Sequence, residues 1–167
     1  MFKNITKLVG LTLVAALFIN CPKEKEDDNT ALLALLALSS SGATCQVTAS
    51  GISLGAIPLS NAGTNGNNAS VSSIKVGSAT LAVISAKGVR ATQKITITGG
   101  PTSSTIFKQS ECPLNTSQNV ATVTTDYTVG STSISHVYTI NTAGDYLIFI
   151  NTTNTITAGI GAAVTDN

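Results

Sequence analysis

Three hydrophobic textures follow one another along this chain. The first is an uncharged apolar run at 8–19, preceded by Lys3 and Lys7 and closed by Asn20, Cys21 and Pro22. The second, at 31–38, contains only Ala and Leu, so a helix there is apolar on every side and has to be covered by something. The third begins at residue 45 and consists of short runs rich in Val, Ile and Thr, broken by Gly, Asn, Ser and Pro. Strands are predicted at 46–50, 52–59, 71–76, 80–86, 91–98, 105–110, 120–129, 133–141, 146–153 and 155–160. Turns separate them at Thr64-Asn65-Gly66, Gly99-Gly100-Pro101, Val129-Gly130-Ser131 and Ala143-Gly144-Asp145. β-Branched side chains fit a pleated strand, while Gly, Asn and Pro supply the backbone geometries of turns. Strands at this spacing predict an all-β domain, an antiparallel β-sandwich of jelly-roll or immunoglobulin-like type.

Alternation assigns faces where it is regular. Ala91, Gln93, Ile95 and Ile97 share one side of their strand and are expected to face the core, opposite Arg90, Thr92, Lys94, Thr96 and Thr98. Ile134, His136, Tyr138 and Ile140 share a face by the same rule. Across the turn at Gly144 they are expected to pair with Tyr146, Ile148 and Ile150 as a long hairpin. The segment 136–150, with Tyr138, Thr139, Gly144, Tyr146 and its alternating aliphatics, is similar to jelly-roll modules such as TNF and C1q-like domains. That similarity implies a sandwich and carries over no functional residue.

Composition changes the picture in one respect. Hydrophobic residues make up 43% of the chain and charged ones only 10%, with a net charge of +1, so the polar share is Ser, Thr, Asn and Gly. Disordered chains of such polarity usually carry high net charge and few β-branched residues, so 45–167 reads as one folded domain with a single core. The near-zero net charge also gives no reason to expect a nucleic-acid partner.

The amino-terminal features belong together. A basic start, a run too short for the ~20 apolar residues of a membrane span, and then Cys21 resemble a bacterial lipoprotein signal peptide, 1–20, cut before Cys21. Asn20 stands where the common lipobox has Gly, Ala or Ser, a relaxation tolerated by spirochaetal lipoproteins of the Leptospira type. The charged tether 23–30 and the Leu/Ala run 31–38, a short helix by composition, are similar to that type as well. The resemblance ends at Leu38. It implies a diacylglyceryl thioether on Cys21, an acylated amino terminus, and a place on the bacterial envelope, the outer membrane, without crossing the bilayer; two or three acyl chains make such attachment stable. Residues 21–44 then form the lipidated linker. Its helix packs on the β-domain or lies along lipid or against another copy. With Cys21 taken by lipid, Cys45 and Cys112 remain as a pair, either a disulfide closing a long loop or two buried thiols.

Candidate chemistry is sparse. His136 is the sole histidine, and a Ser-His-Asp set would need Asp126 or Asp145 beside it; no Gly-x-Ser-x-Gly elbow is present, so no enzyme activity is expected. Asp27-Asp28, with Glu26 before it, is the one place where acids adjoin and no CxxC or HxxxH spacing occurs, so no metal or cofactor is expected either. Lys75, Lys87, Arg90 and Lys94 come from neighbouring strands or their turn. They form either a basic patch able to meet acidic glycans or an acidic protein, or solvated cations that protect strand edges. The expectation is a surface-exposed, non-enzymatic lipoprotein that binds a host or envelope protein. The alternatives are a periplasm-facing assembly protein and a carbohydrate-binding module, the last weakened by Trp 0 and few other aromatic rings.

Overall fold

The computed structural model describes residues 42–99, 104–132, 135–153, 156 and 159–167. The apolar run 8–19, Cys21, the tether 23–30, the Leu/Ala run 31–38 and Ile134 lie outside the described residues. What is described is all-β, in chain order β1 (Thr44–Ala49), β2 (Ile52–Asn61), β3 (Ala69–Val71), β4 (Ile74–Val76), β5 (Ala79–Val89), β6 (Lys94–Thr98), β7 (Ser104–Phe107), β8 (Leu114–Asn115), β9 (Tyr127–Ser131), β10 (Ser135–Ile140), β11 (Gly144–Thr152) and β12 (Ile160–Thr165). Two packed sheets result. One has seven strands in the order β7-β11-β5-β2-β1-β8, with β4 also on β5; the other has five in the order β3-β12-β6-β10-β9.

Most ladders are antiparallel, as predicted, but β1–β8 and β2–β5 are parallel. The second case follows from connectivity. After Pro58, β2 leaves its hairpin partner, and Leu59, Ser60 and Asn61 pair with Val83, Ile84 and Ser85 of β5. Between those strands the chain detours through β3 in the other sheet, and a long crossover is what parallel pairing requires. The predicted strand at 71–76 is therefore two strands in different sheets, β3 and β4, and the amide of Ser72 at the crossing donates to Ser60 Oγ at 2.9 Å. At the other end, β12 begins where the predicted 155–160 strand stops.

The hairpin predicted from Tyr138 and Tyr146 is not formed. β10 pairs with β6 and β9, whereas β11 pairs with β5 and β7, so the chain arches from one sheet to the other. The arch is held from outside itself. The amides of Asn141 and Thr142 both donate to the carbonyl of Asp126, Asn141 Nδ2 donates to the carbonyl of Thr124, and the Tyr146 hydroxyl donates to the carbonyl of Thr142. Tyr138 and Ile140 consequently meet Tyr146, Ile148 and Ile150 face to face across the interior, in one cluster with Ile84, Ile95, Ile97, Ile106 and Val164.

A second cluster lies on the opposite face of the seven-stranded sheet, so the single predicted core is two. Leu81 and Val83 of β5, Leu147 and Phe149 of β11 and Phe107 pack there with Cys45, Val47, Ile57 and Leu114. β5 and β11 are thus buried on both faces, the condition under which a strand loses its alternation and becomes a continuous apolar run. Cys45 and Cys112 form a disulfide with Cα atoms 5.3 Å apart, joining β1 to the segment just before β8. Each fully buried aliphatic side chain contributes about 1.5–3 kcal/mol relative to exposure.

Candidate functional site

The structure contains a cleft of about 530 Å³ where the chain crosses twice between the sheets. The first crossing follows β2. The amide of Ala62 donates to the carbonyl of Ser85 in the seven-stranded sheet, and that of the next residue, Gly63, donates to the carbonyl of Ala162 in the five-stranded sheet. Gly63 is needed here, since a Cβ on it would lie 1.8 Å from the carbonyl oxygen of Asn67. The turn then closes through Asn65 and Gly66, both at positive φ, with Asn67 donating to the Thr64 carbonyl. Asn61, Thr64 and Asn65 line this wall.

The opposite wall is the exit from β5. Gly88, at positive φ, donates its amide to Asp145 Oδ1 at 2.6 Å, and a turn from Arg90 to Gln93 leads into β6. That turn is pinned to the neighbouring strand: the Thr92 amide donates to the Ile140 carbonyl at 2.7 Å, and the Ile140 amide to the Gln93 carbonyl at 2.8 Å. Gln93 Oε1 accepts the Arg90 amide at 2.7 Å, which leaves the Gln93 side-chain NH₂ facing outward as a donor. Lys87, Arg90 and Gln93 line this side. Asp166, two residues beyond the lining residue Val164 and not itself part of the lining, accepts at Oδ1 from Arg90 Nη2 at 2.7 Å and from Gln93 Nε2 at 2.8 Å. The Gln93 hydrogen bond and the Arg90 charge together hold the Asp166 carboxyl below its ordinary range. Ser85 also lines the cleft, and its hydroxyl oxygen is buried with no hydrogen-bond partner among the described residues.

Of the four cations considered as a patch, the structure brings Lys87 and Arg90 to this cleft. Lys75 lies on β4 opposite Thr80, about 23 Å along β5 from Lys87 at the usual rise per residue. Lys94 belongs to the other sheet, opposite Thr139 and Thr165, and is absent from the lining. The four are therefore not one patch. Gln93, Asn61, Thr64, Asn65 and Asp166 were not among the sequence candidates. Gln93 alone left a signal, as the one polar side chain on the face shared by Ala91, Ile95 and Ile97.

His136 and the acids stand apart. Asp126 accepts the Thr122 amide at 2.8 Å and Lys108 Nζ at 3.2 Å, and the Thr122 bond leads in holding its carboxyl below the ordinary range. Asp145 is taken by Gly88. His136 lies against the Tyr138 ring, centroids 4.9 Å apart, and burial lowers its pKa. Among the described residues no three His, Cys, Asp or Glu side chains converge as a metal site would require. Chemically, the cleft offers hydrogen-bond donors and positive charge around a carboxylate, with amide and hydroxyl groups on the facing wall. Comparison with protein-family models, curated proteins and solved structures finds no match to this chain.

Proposed function

We propose that this is an exported, non-enzymatic lipoprotein of the bacterial cell envelope, held by lipid on Cys21 and presenting its β-domain outward to bind a host or envelope protein. The observation that carries the reading is the Cys45–Cys112 disulfide. It withdraws two of three cysteines from other roles and leaves Cys21, directly after the apolar run 8–19, as the one cysteine outside a bridge. A bridge of this kind persists in oxidising compartments outside the cytosol, which agrees with an export signal. We read the domain as a β-sandwich of the jelly-roll type, because β5, β6 and β7, and again β10, β11 and β12, alternate between the two sheets.

Metabolic labelling with palmitate tests the anchor. Label and detergent-phase partition are expected for the wild type and lost in Cys21→Ala, and a protein that stays unlabelled refutes the anchor. Protease shaving of intact cells, with a periplasmic control protein, tests the orientation. Loss of the β-domain from intact cells supports surface exposure, whereas cleavage only after outer-membrane permeabilisation replaces it with a periplasm-facing assembly role.

A further inference from the structure

We propose that the cleft between the 62–66 crossing and the Arg90–Gln93 turn is a binding site for an acidic sugar: Arg90 and Gln93 take the carboxylate of a uronic acid, Lys87 adds a second positive charge, and Asn61, Thr64 and Asn65 meet the ring hydroxyls. This goes beyond the envelope role and does not rest on the lipid anchor.

The carboxylate position is already drawn by the protein. Asp166 Oδ1 sits on Arg90 Nη2 at 2.7 Å and Gln93 Nε2 at 2.8 Å, so two side-chain donors converge on one oxygen of the required chemistry. Of the two donors Gln93 is built in, and Arg90 is fixed at its backbone while its guanidinium reaches out from the turn. Gln93 is oriented by its own acceptance of the Arg90 amide, and the turn is fixed by paired backbone bonds to Ile140. The Asp166 contact is loosely held, since the Arg90 and Asp166 side chains are 71% and 66% exposed. Exposed ion pairs of this sort shift equilibria by only a few-fold, so an incoming carboxylate displaces Asp166 at small cost. Asp166 thus acts as a weak internal competitor.

The rest of the cleft selects a sugar over a bare anion or an acidic peptide. Its volume of about 530 Å³ accommodates one or two pyranose rings. The facing wall supplies amides and a hydroxyl, groups that both donate and accept, as vicinal ring hydroxyls do. Lys87 makes no ion pair among the described residues, so its charge is available to the ligand.

The test is calorimetric titration of the full chain in detergent with galacturonate and glucuronate, against galactose, glucose, inorganic phosphate and a short Asp-containing peptide. Saturable binding of a uronate is expected, with the matching neutral hexose at least tenfold weaker. Arg90→Gln should weaken binding by up to about fivefold, Arg90→Gln with Lys87→Gln by tenfold or more, and Asp166→Asn should strengthen it by up to about fivefold. Both positions are exposed, so unchanged melting temperatures are expected, and Lys87→Gln provides a second variant that removes charge without touching the turn. The proposal is overturned if neither wild type nor Asp166→Asn binds a uronate. It is equally overturned if binding survives Arg90→Gln together with Lys87→Gln, or if phosphate or the peptide binds as tightly as the uronate.

Discussion

Removing the disulfide by Cys45→Ala with Cys112→Ala should cost the β-domain about 5 kcal/mol. The two residues are 67 apart in sequence, and in the chain-entropy account closing a loop of that length in the unfolded state is worth about 4 kcal/mol at 25 °C. Cys45 is also fully buried against Val47, Ile57 and Leu114, so losing its sulfur adds a packing loss of about 1 kcal/mol. Set against a usual domain stability of about 5–15 kcal/mol, the variant remains folded but is much weakened. For about 120 residues, an unfolding entropy of about 2.1 cal/mol/K per residue turns 5 kcal/mol into a fall in Tm of about 20 °C. Urea unfolding followed by circular dichroism reads the free energy, and thermal unfolding reads the fall in Tm. The slope against urea should rise in the variant, because the unfolded chain expands once the loop is open. A loss below about 1 kcal/mol with an unchanged slope would refute the reasoning, since the unfolded chain would then owe nothing to the bridge. Alkylation after denaturation, without reductant, should leave Cys45 and Cys112 of the wild type unlabelled.

Two further substitutions probe the crossings and the interior. Gly63→Ala places a methyl group 1.8 Å from the Asn67 carbonyl oxygen, and should destabilise by about 3 kcal/mol or more, whereas Gly130→Ala, with nothing within 4 Å of the added carbon, should stay within about 0.5 kcal/mol; equal effects in urea unfolding would contradict this. Tyr138→Phe removes a buried hydroxyl bonded to Ser104 Oγ at 2.7 Å and to the Ser104 carbonyl at 3.0 Å, for about 1 kcal/mol near neutral pH. Burial pushes the Tyr138 phenol up to about 12, so its neutral form is favoured by folding. The corresponding stability is fully present below the unfolded value near 10 and is lost as pH rises through 12, by at most about 3 kcal/mol. Tyr127 and Tyr146 are shifted the same way by burial. Tyr138→Phe should therefore flatten the alkaline limb of stability between pH 10 and 12 without abolishing it, and an unchanged limb would show that Tyr138 titrates as it does unfolded.

The residues that were legible are those whose surroundings differ on two sides. Ile95 and Ile97 are fully buried while Lys94, Thr96 and Thr98 are half-exposed, so β6 displays its faces in its own alternation. β5 does not. Its stretch 81–86 is apolar apart from Ser85 because both faces are covered, and period-2 reasoning has nothing to act on in such a strand. Tyr138 and Ile140 were rightly grouped with Tyr146, Ile148 and Ile150, but shared polarity is compatible with lying side by side in one sheet or face to face across two. The choice is made by the Asp126 carbonyl, which captures the amides of Asn141 and Thr142. A backbone acceptor fifteen residues upstream leaves no mark in residue type, whereas the short turn at Gly144 suggests a hairpin.

The cleft is illegible for a related reason. Its walls are two of the places where the chain passes between sheets, at Ala62 and Gly63, whose amides donate to different sheets, and at the turn from Arg90 to Gln93 between β5 and β6. Strand patterns describe residues within sheets and fall silent where the chain changes sheet. Arg90 and Asp166 are 76 residues apart, and their contact depends on β5 ending and β12 ending on the same side of the interior. Two cations could be picked out by charge alone, but Lys75 and Lys94 have the same charge and lie elsewhere. What separates Lys87 and Arg90 from them is position at a crossing, and Gln93, a polar side chain on an otherwise apolar face, is the local sign that the core face of β6 opens there to solvent.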